Sequence, residues 1–386
     1  MRSGVSGDAV TMRPGGRCSY EAKGTDVHEI LARLSSSQRL ALVTVTRALR
    51  SSPLPVGSSM VVGADRSIVG NISAGCVDGD AALRAEEVLK TGLADVAHYG
   101  VSDEMAMGVG LACGGEIDVV ISVGPSAEVA GFLLEHAKTS PGAALATVVE
   151  PEDLRGCHLA VAADEMRGTT GNPRLDEELG AQARALTASG RSGMVLVEPL
   201  EGEPEVRAVV QVAVPAPRML VFGAGAYAAS LARVGKVLGY HVTVCDARPV
   251  FATPERAPDA DEIVVEWPHR YLAATALDSR TVICSLSHDP KFEIPLLVEA
   301  LRGPAAYVGA LGARRTAQAR AERLRSEGLT DEEIGRLHAP IGLDLGARTA
   351  EETAISIVAE IIAARSGATS LELRSSAGHI HAATER

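Results

Sequence analysis

Met219-Leu220-Val221-Phe222-Gly223-Ala224-Gly225-Ala226-Tyr227-Ala228 decides the fold of this chain. An apolar strand runs straight into G-x-G-x-x-A, and a helical pattern continues to about Leu238. The first glycine permits a tight turn, the second lets a pyrophosphate approach the backbone, and the small third residue lets helix pack on strand. A phosphate placed there meets exposed N–H groups at the positive end of the helix. Asp246 closes the next strand about 20 residues beyond, where an acid bonding a ribose hydroxyl belongs. Gly223, Gly225, Ala228 and Asp246 are therefore nucleotide-binding candidates. The same glycines also serve packing alone in a sheet that binds no dinucleotide, so both readings stand. Asp246 disfavours NADP, while Arg248 leaves a phosphorylated ribose open.

Outward from this turn, strand and helix alternate. Strands are expected at Met219–Phe222, His241–Cys245, Glu262–Val265, Thr281–Leu286 and Ala305–Val308, with helices in most gaps. That alternation predicts a Rossmann-like, doubly wound parallel sheet over 216–366. Ligands of such sheets bind outside the carboxyl ends of the strands. Two segments end strands there, Ser287-His288-Asp289-Pro290 and Gly309-Ala310-Leu311-Gly312 followed by Arg314-Arg315. His288 and Arg314 are thus possible contacts to an anionic ligand, or else a helix cap and solvated arginines. Thr349-x-x-Glu352 is a capping box before a core helix.

Upstream, Val214-Pro215-Ala216-Pro217 reads as a stiff linker. Before it lies an α+β region over 26–125: a helix Asp26–Leu34, a strand Leu40–Thr46, a hairpin Ser59–Gly63 with Ser67–Ile72, a helix Ala81–Leu89 and a strand Glu116–Val123. A middle α+β region over 126–215 shows no chemistry-bearing cluster. Residues 1–25 and 367–386 are small and polar and read as flexible tails. The fold class is α/β, an N-terminal α+β domain followed by the parallel sheet.

Lys+Arg 37 against Asp+Glu 49 gives a net charge of −12, whose field repels nucleic acid and anionic membrane. With Trp 1, Tyr 6 and Phe 4, aromatics are too few for a base-stacking platform. No apolar run reaches the ~18 residues of a membrane span, and no secretory h-region opens the chain. The six cysteines show no CxxC spacing, which argues against a zinc knot or disulfide framework and for a reducing cytoplasm. The ten histidines form no ligand spacing with them, so no metal site is expected. A homodimer is the general expectation for a chain of this kind.

Two cysteines sit among glycines: Gly70-Asn71-Ile72-Ser73-Ala74-Gly75-Cys76-Val77-Asp78 and Cys113-Gly114-Gly115. Glycine lets a bulky ligand approach the backbone, and a helix N-terminus after Cys76 favours a thiolate while Asp78 and Asp80 oppose it. The alternative is that each thiol is a small buried hydrophobe.

Together these pieces resemble the XdhC/CoxI family, accessory proteins of molybdenum hydroxylases. The resemblance runs from about residue 28 to 366. It rests on Ser52-Pro53-Leu54-Pro55-Val56-Gly57, on Ala74-Gly75-Cys76-Val77-Asp78 and on Cys113-Gly114-Gly115. Further along it takes in the glycine turn, Ser287-His288-Asp289, Tyr307–Arg315, His338–Asp344 and the helix from Thr349. Ala74 replaces a glycine of the family pattern, Asp78 its usual glutamate and Ala350 a common proline. The resemblance implies a maturation factor that binds the molybdenum cofactor, assists its sulfuration with a cysteine desulfurase and passes it to the apo-hydroxylase. It makes Cys76, Cys113, Gly75 and Gly114 the cofactor-binding candidates, with Arg47 or Arg50 near the cofactor's phosphate. The competing readings are an NAD-dependent oxidoreductase using the C-terminal sheet, and a structural adaptor.

Overall fold

In the computed structural model, residues 27–36, 38–50, 52–100, 115–198 and 204–375 are described. They form three sheets, of which the first two have the same plan.

The first unit contains α1 (Val27–Leu34), β1 (Leu40–Leu49), β2 (Ser59–Gly63), β3 (Ile68–Gly70), α2 (Asp78–Thr91), β4 (Asp95–Tyr99) and β5 (Glu116–Val123), with strand order β3-β2-β1-β5-β4. Strand alternation sends Val43, Val45, Met60, Val119 and Ile121 to the face covered by α2. The other face carries Leu40, Leu42 and Val61 under α1, whose Ile30, Leu31 and Leu34 make one apolar stripe.

The second unit repeats the sequence of elements: α3 (Ala127–His136), β6 (Ala143–Glu150), β7 (His158–Ala162), β8 (Glu165–Gly168), α4 (Pro173–Ser189), β9 (Gly193–Val197) and β10 (Val206–Ala213), in order β8-β7-β6-β10-β9. Two glycine landmarks recur at one spacing. Gly70 and Gly168 both close a strand at positive φ, and Gly92 and Gly190 both cap a helix in the left-handed region. A bulge interrupts β1 at Thr46 and β6 at Val149.

The two units face each other, and their contacts are reciprocal. A side chain on Gly57 would lie 2.5 Å from Ser192 Cβ, and one on Gly156 would lie 2.9 Å from Ala94 Cβ. Thr44 and Ser59, paired across β1 and β2, bind Gln211 of the second unit: Thr44 Oγ1 donates to Oε1 (3.2 Å) and Nε2 donates to Ser59 Oγ (2.5 Å). Their counterparts are Thr147 and His158, likewise paired, and His158 Nε2 reaches Ser122 Oγ and the Val123 carbonyl of the first unit. Such reciprocity defines an isologous, two-fold-like interface, here within a single chain. Ile30, Leu34, Leu42, Leu133, Leu145 and Ala213 bury the apolar part of it.

The third sheet comprises β11 (Arg218–Phe222), β12 (His241–Cys245), β13 (Glu262–Val264), β14 (Val282–Ser285), β15 (Tyr307–Ala310) and β16 (Leu337–His338), all parallel. Its order is β13-β12-β11-β14-β15-β16, the doubly wound arrangement whose direction of winding reverses between β11 and β14. Helices α5 (Ala226–Val237) and α10 (Ala350–Ser366) cover one face. The intervening α6 (Pro268–Ala273), α7 (Pro290–Arg302), α8 (Arg314–Ser326) and α9 (Asp331–Gly335) lie on the other. Burial on both faces explains why β11 reads as an unbroken apolar run. The capping box predicted at Thr349 and Glu352 is formed, and Ala350 starts α10 in the place of the family's proline. No helix among the described residues is long and apolar enough to cross a membrane.

Candidate functional site

The thiol loop between β3 and α2 is built around one carboxylate. Asp78 accepts from Ile72 N (2.7 Å) on Oδ1, and from Ser73 Oγ (2.7 Å) and Gly75 N (2.6 Å) on Oδ2. Ser73, fully buried, also accepts from Val77 N. Asn71 Oδ1 takes the Ala74 N–H. Between these anchors Ala74 (φ 55) and Gly75 (φ 104) occupy the left-handed region, which lifts Ala74, Gly75 and Cys76 to the surface. No atom lies within 4 Å of where a Gly75 side chain would point. The second unit uses the same device, with Asp176 accepting from Thr170 N (2.8 Å) and from the hydroxyls of Thr169 and Thr170. Arg174 stands there in the place of Cys76.

Antiparallel register carries other groups to this end of the sheet. Gly70 pairs with Met60, Met60 with Val43 and Val43 with Ile121, so the chain leaves β3 toward the end of the sheet where β1 finishes and β5 begins. There Arg47 Nε donates to Asp118 Oδ2 (2.5 Å), and His98 Nδ1 lies 2.5 Å from Asp118 Oδ1. Arg50 pairs with Glu116 at 2.9 Å. Burial works to raise the Asp118 pKa, but Arg47 and His98 outweigh it and hold the carboxyl below its usual value. The ionised carboxylate keeps the Nδ1 proton on His98 and leaves Nε2 as the acceptor when the ring is neutral. His98 belongs to no sequence motif, and β4 is too short to show a clear strand pattern. The alternation of buried Ala97 and Tyr99 around an exposed His98 was the available signal. Cys113 and Gly114 lie outside the described residues. Gly115, next in the chain, is buried where it enters β5 at this same end.

The remaining described thiols differ in kind. Burial pushes Cys245 up to about 12 and raises Cys284 and Cys157, so these remain protonated and act in packing. Cys76 is exposed.

The candidates of the parallel sheet gather at its carboxyl edge, as a separate set. Gly223 (φ 106) lies against β14, and a Cβ there would come within 3.0 Å of Ser287 N, so packing alone requires glycine. Gly225 has open space above it, and Ala228 is fully buried against the sheet. Asp246 directly follows β12, and both its oxygens are in use. Oδ1 accepts from Arg248 N (3.0 Å) and Nε (2.9 Å), and Oδ2 from Arg248 Nη2 (2.9 Å) and Ala224 N (2.9 Å). Despite burial, these bonds hold its carboxyl below the usual value. His288 is exposed after β14, and the neighbouring Asp289 caps α7 by accepting from Lys291 N, the structural role weighed for it. Arg314, almost fully exposed, lies 3.9 Å from Asp344. Beneath the Leu311–Gly312 turn, Arg320 is buried with Glu293 at 2.6 Å and also donates to Leu311 O. No group of three or more His, Cys, Asp or Glu that could hold a metal ion occurs among the described residues.

Comparison with known proteins agrees with this layout. A family model described as the XdhC Rossmann domain matches residues 219–361, and one for the XdhC and CoxI family matches residues 34–100. The molybdenum cofactor insertion chaperone PaoD of Escherichia coli (strain K12) is 25% identical over 346 residues, covering 88% of this chain and 90% of PaoD. A Bacillus subtilis (strain 168) protein described as a probable xanthine dehydrogenase subunit is 24% identical over 340 residues, 86% of this chain and 96% of that protein. An uncharacterized protein, YqeB of E. coli, is 32% identical over 155 residues, but the match spans only 28% of YqeB. In fold, a crystal structure of a Bacillus halodurans protein described as a xanthine dehydrogenase matches with a TM-score of 0.64 at 23% identity, covering 90% of this chain and 97% of that one. The two family models fall on the thiol-loop unit and on the parallel sheet, and the chain belongs to the XdhC and CoxI family.

Proposed function

We propose that this protein is an accessory factor that carries the molybdenum cofactor to a molybdenum hydroxylase, with the thiol loop of the first unit as the place where the cofactor is held. The observation that carries this reading is Cys76, exposed on a loop clamped by Asp78, at the sheet end where Arg47 and Arg50 also lie. The similarity of almost the whole chain to an insertion chaperone supports it. A molybdenum–pterin cargo has a soft metal–dithiolene end and a phosphate. A thiol suits the first, and guanidinium groups suit the second. Both arginines are exposed and paired with partly buried carboxylates, pairs at the surface that can exchange for a phosphate. Gly75 keeps the approach to Cys76 open. On this reading a cysteine desulfurase supplies sulfur to the held cofactor, and the apo-hydroxylase receives it.

The test is anaerobic incubation with molybdenum cofactor, gel filtration, and assay of the protein peak by fluorescence of the oxidised pterin. Stoichiometric retention that Cys76→Ser abolishes, with hydroxylase activation lost in parallel, is the expected result. Unchanged retention and activation in Cys76→Ser would remove the thiol from the reading. Absence of retention by the wild type, together with substrate-dependent reduction of NAD, would put the oxidoreductase in its place.

A further inference from the structure

We infer that the carboxyl edge of the parallel sheet binds a dinucleotide whose adenosine ribose carries a phosphate, an NADP-type ligand, in preference to one with a free ribose diol. The inference concerns a different sheet from the thiol loop and does not depend on the cargo assigned to that loop.

A free diol is recognised by a carboxylate at the end of the second strand, with an oxygen to spare for the hydroxyls. Asp246 occupies that position and has none to spare. It is 4% exposed and receives four hydrogen bonds, three of them from Arg248 and one from the glycine turn itself through Ala224 N. For a ribose hydroxyl to bind Asp246, a charge-assisted arginine fork on a buried carboxylate has to break. Asp246 thus fastens the glycine turn to the segment after β12 rather than presenting itself to a ligand.

The groups that do face solvent at this point are cationic. Arg248, anchored by Asp246, lies with its guanidinium 4.2 Å from the centre of the Phe251 ring, and half of its side chain remains exposed. Arg256 approaches the same ring at 4.9 Å, is exposed, and forms no ion pair among the described residues. Two guanidinium groups on one aromatic ring are held in place at low entropic cost, and their planar forks match a phosphate. Asp289, which caps α7, also faces Arg248, and Glu255 adjoins Arg256. Asp289 is occupied at Lys291 N, with Lys291 Nζ at 4.0 Å. The doubly wound strand order, the open space over Gly225 and the N-terminus of α5 supply the frame in which the rest of a dinucleotide would lie.

Trp267, the only tryptophan of the chain, follows β13 at this edge. Reduced nicotinamide absorbs where tryptophan emits, so titrating the full chain with NADPH or NADH reads binding as energy transfer from Trp267. NADPH is expected to bind at least about tenfold more tightly than NADH, the discrimination expected of one charge-assisted pair of hydrogen bonds. Adenosine 2′,5′-bisphosphate should displace it and 5′-AMP should not. Arg256→Gln, at an exposed position that leaves the fold intact, should narrow the ratio by weakening NADPH alone. Arg248→Ala, by freeing Asp246, should strengthen NADH. Equal affinities, tighter NADH, binding of neither dinucleotide, or a ratio unmoved by Arg256→Gln would each overturn the assignment.

Discussion

Asp78 shows how much one side chain can organise. Its two oxygens gather Ile72 N, Ser73 Oγ and Gly75 N and so clamp the loop that raises Cys76. Asp78→Ala should cost about 2–3 kcal/mol, read from denaturant midpoints, because hydrogen bonds to a charged acceptor are worth more than neutral ones. A loss below about 0.5 kcal/mol would mean that the loop holds its shape without the clamp. Ala74 invites the opposite change. At φ 55 it carries a strain that glycine does not, so Ala74→Gly should stabilise the protein by about 0.5–1 kcal/mol. The glycine-flanked thiol was visible in the sequence, but the work of Asp78 was not. There it reads only as a negative charge beside a thiol, because its bonds to Ile72 and Ser73 depend on how the loop closes in space. Asp246 is the same kind of case. Its position after the strand was legible, and its complete engagement by Arg248 was not.

At the level of elements, periodicity located most of the long strands and helices within a few residues. It failed at β4, β8 and β16, short edge strands whose conformation comes from pairing with a neighbour more than from their own residues. Missing β4 and β8 also concealed the duplication, since without them the two units have different outlines. The correspondence survives in positions and not in identities: Thr44 and Ser59 answer to Thr147 and His158, and Ser122 to Gln211. Two glycines test it. Gly57 and Gly156 both have positive φ and both lie against the opposite unit, on Ser192 and Ala94. Gly57→Ala and Gly156→Ala should each cost about 2–4 kcal/mol, the sum of left-handed strain and overpacking. Ser192→Gly should recover part of the loss in Gly57→Ala and none of the loss in Gly156→Ala. Equal rescue of both would contradict the reciprocal contacts.

For the molecule as a whole, the interface between the units contains a titratable group. His158 Nε2 donates to Val123 O (2.8 Å) and Nδ1 accepts from Thr147 Oγ1 (3.0 Å), an arrangement that needs the neutral ring. Burial lowers its pKa, with the Val123 carbonyl acting against the shift. The unfolded chain takes up a proton below its ordinary value of about 6.5 and the folded chain resists it, so stability falls as pH drops below that point, by at most about 1.4 kcal/mol per unit. His158→Gln should flatten the melting temperature between about pH 6.5 and 5 relative to the wild type. Identical slopes would exclude His158 as the cause. Because the two matching faces belong to one polypeptide, their meeting is also a unimolecular event that dilution cannot reverse, whereas two separate copies would obey mass action. Fusion has a second effect. A pair of identical units would display two sulfur-bearing loops, one on each side of the axis. Here Cys76 is answered by Arg174, so of the two matching loops one carries a thiol and the other a guanidinium, and the two-fold-like pair has a left and a right.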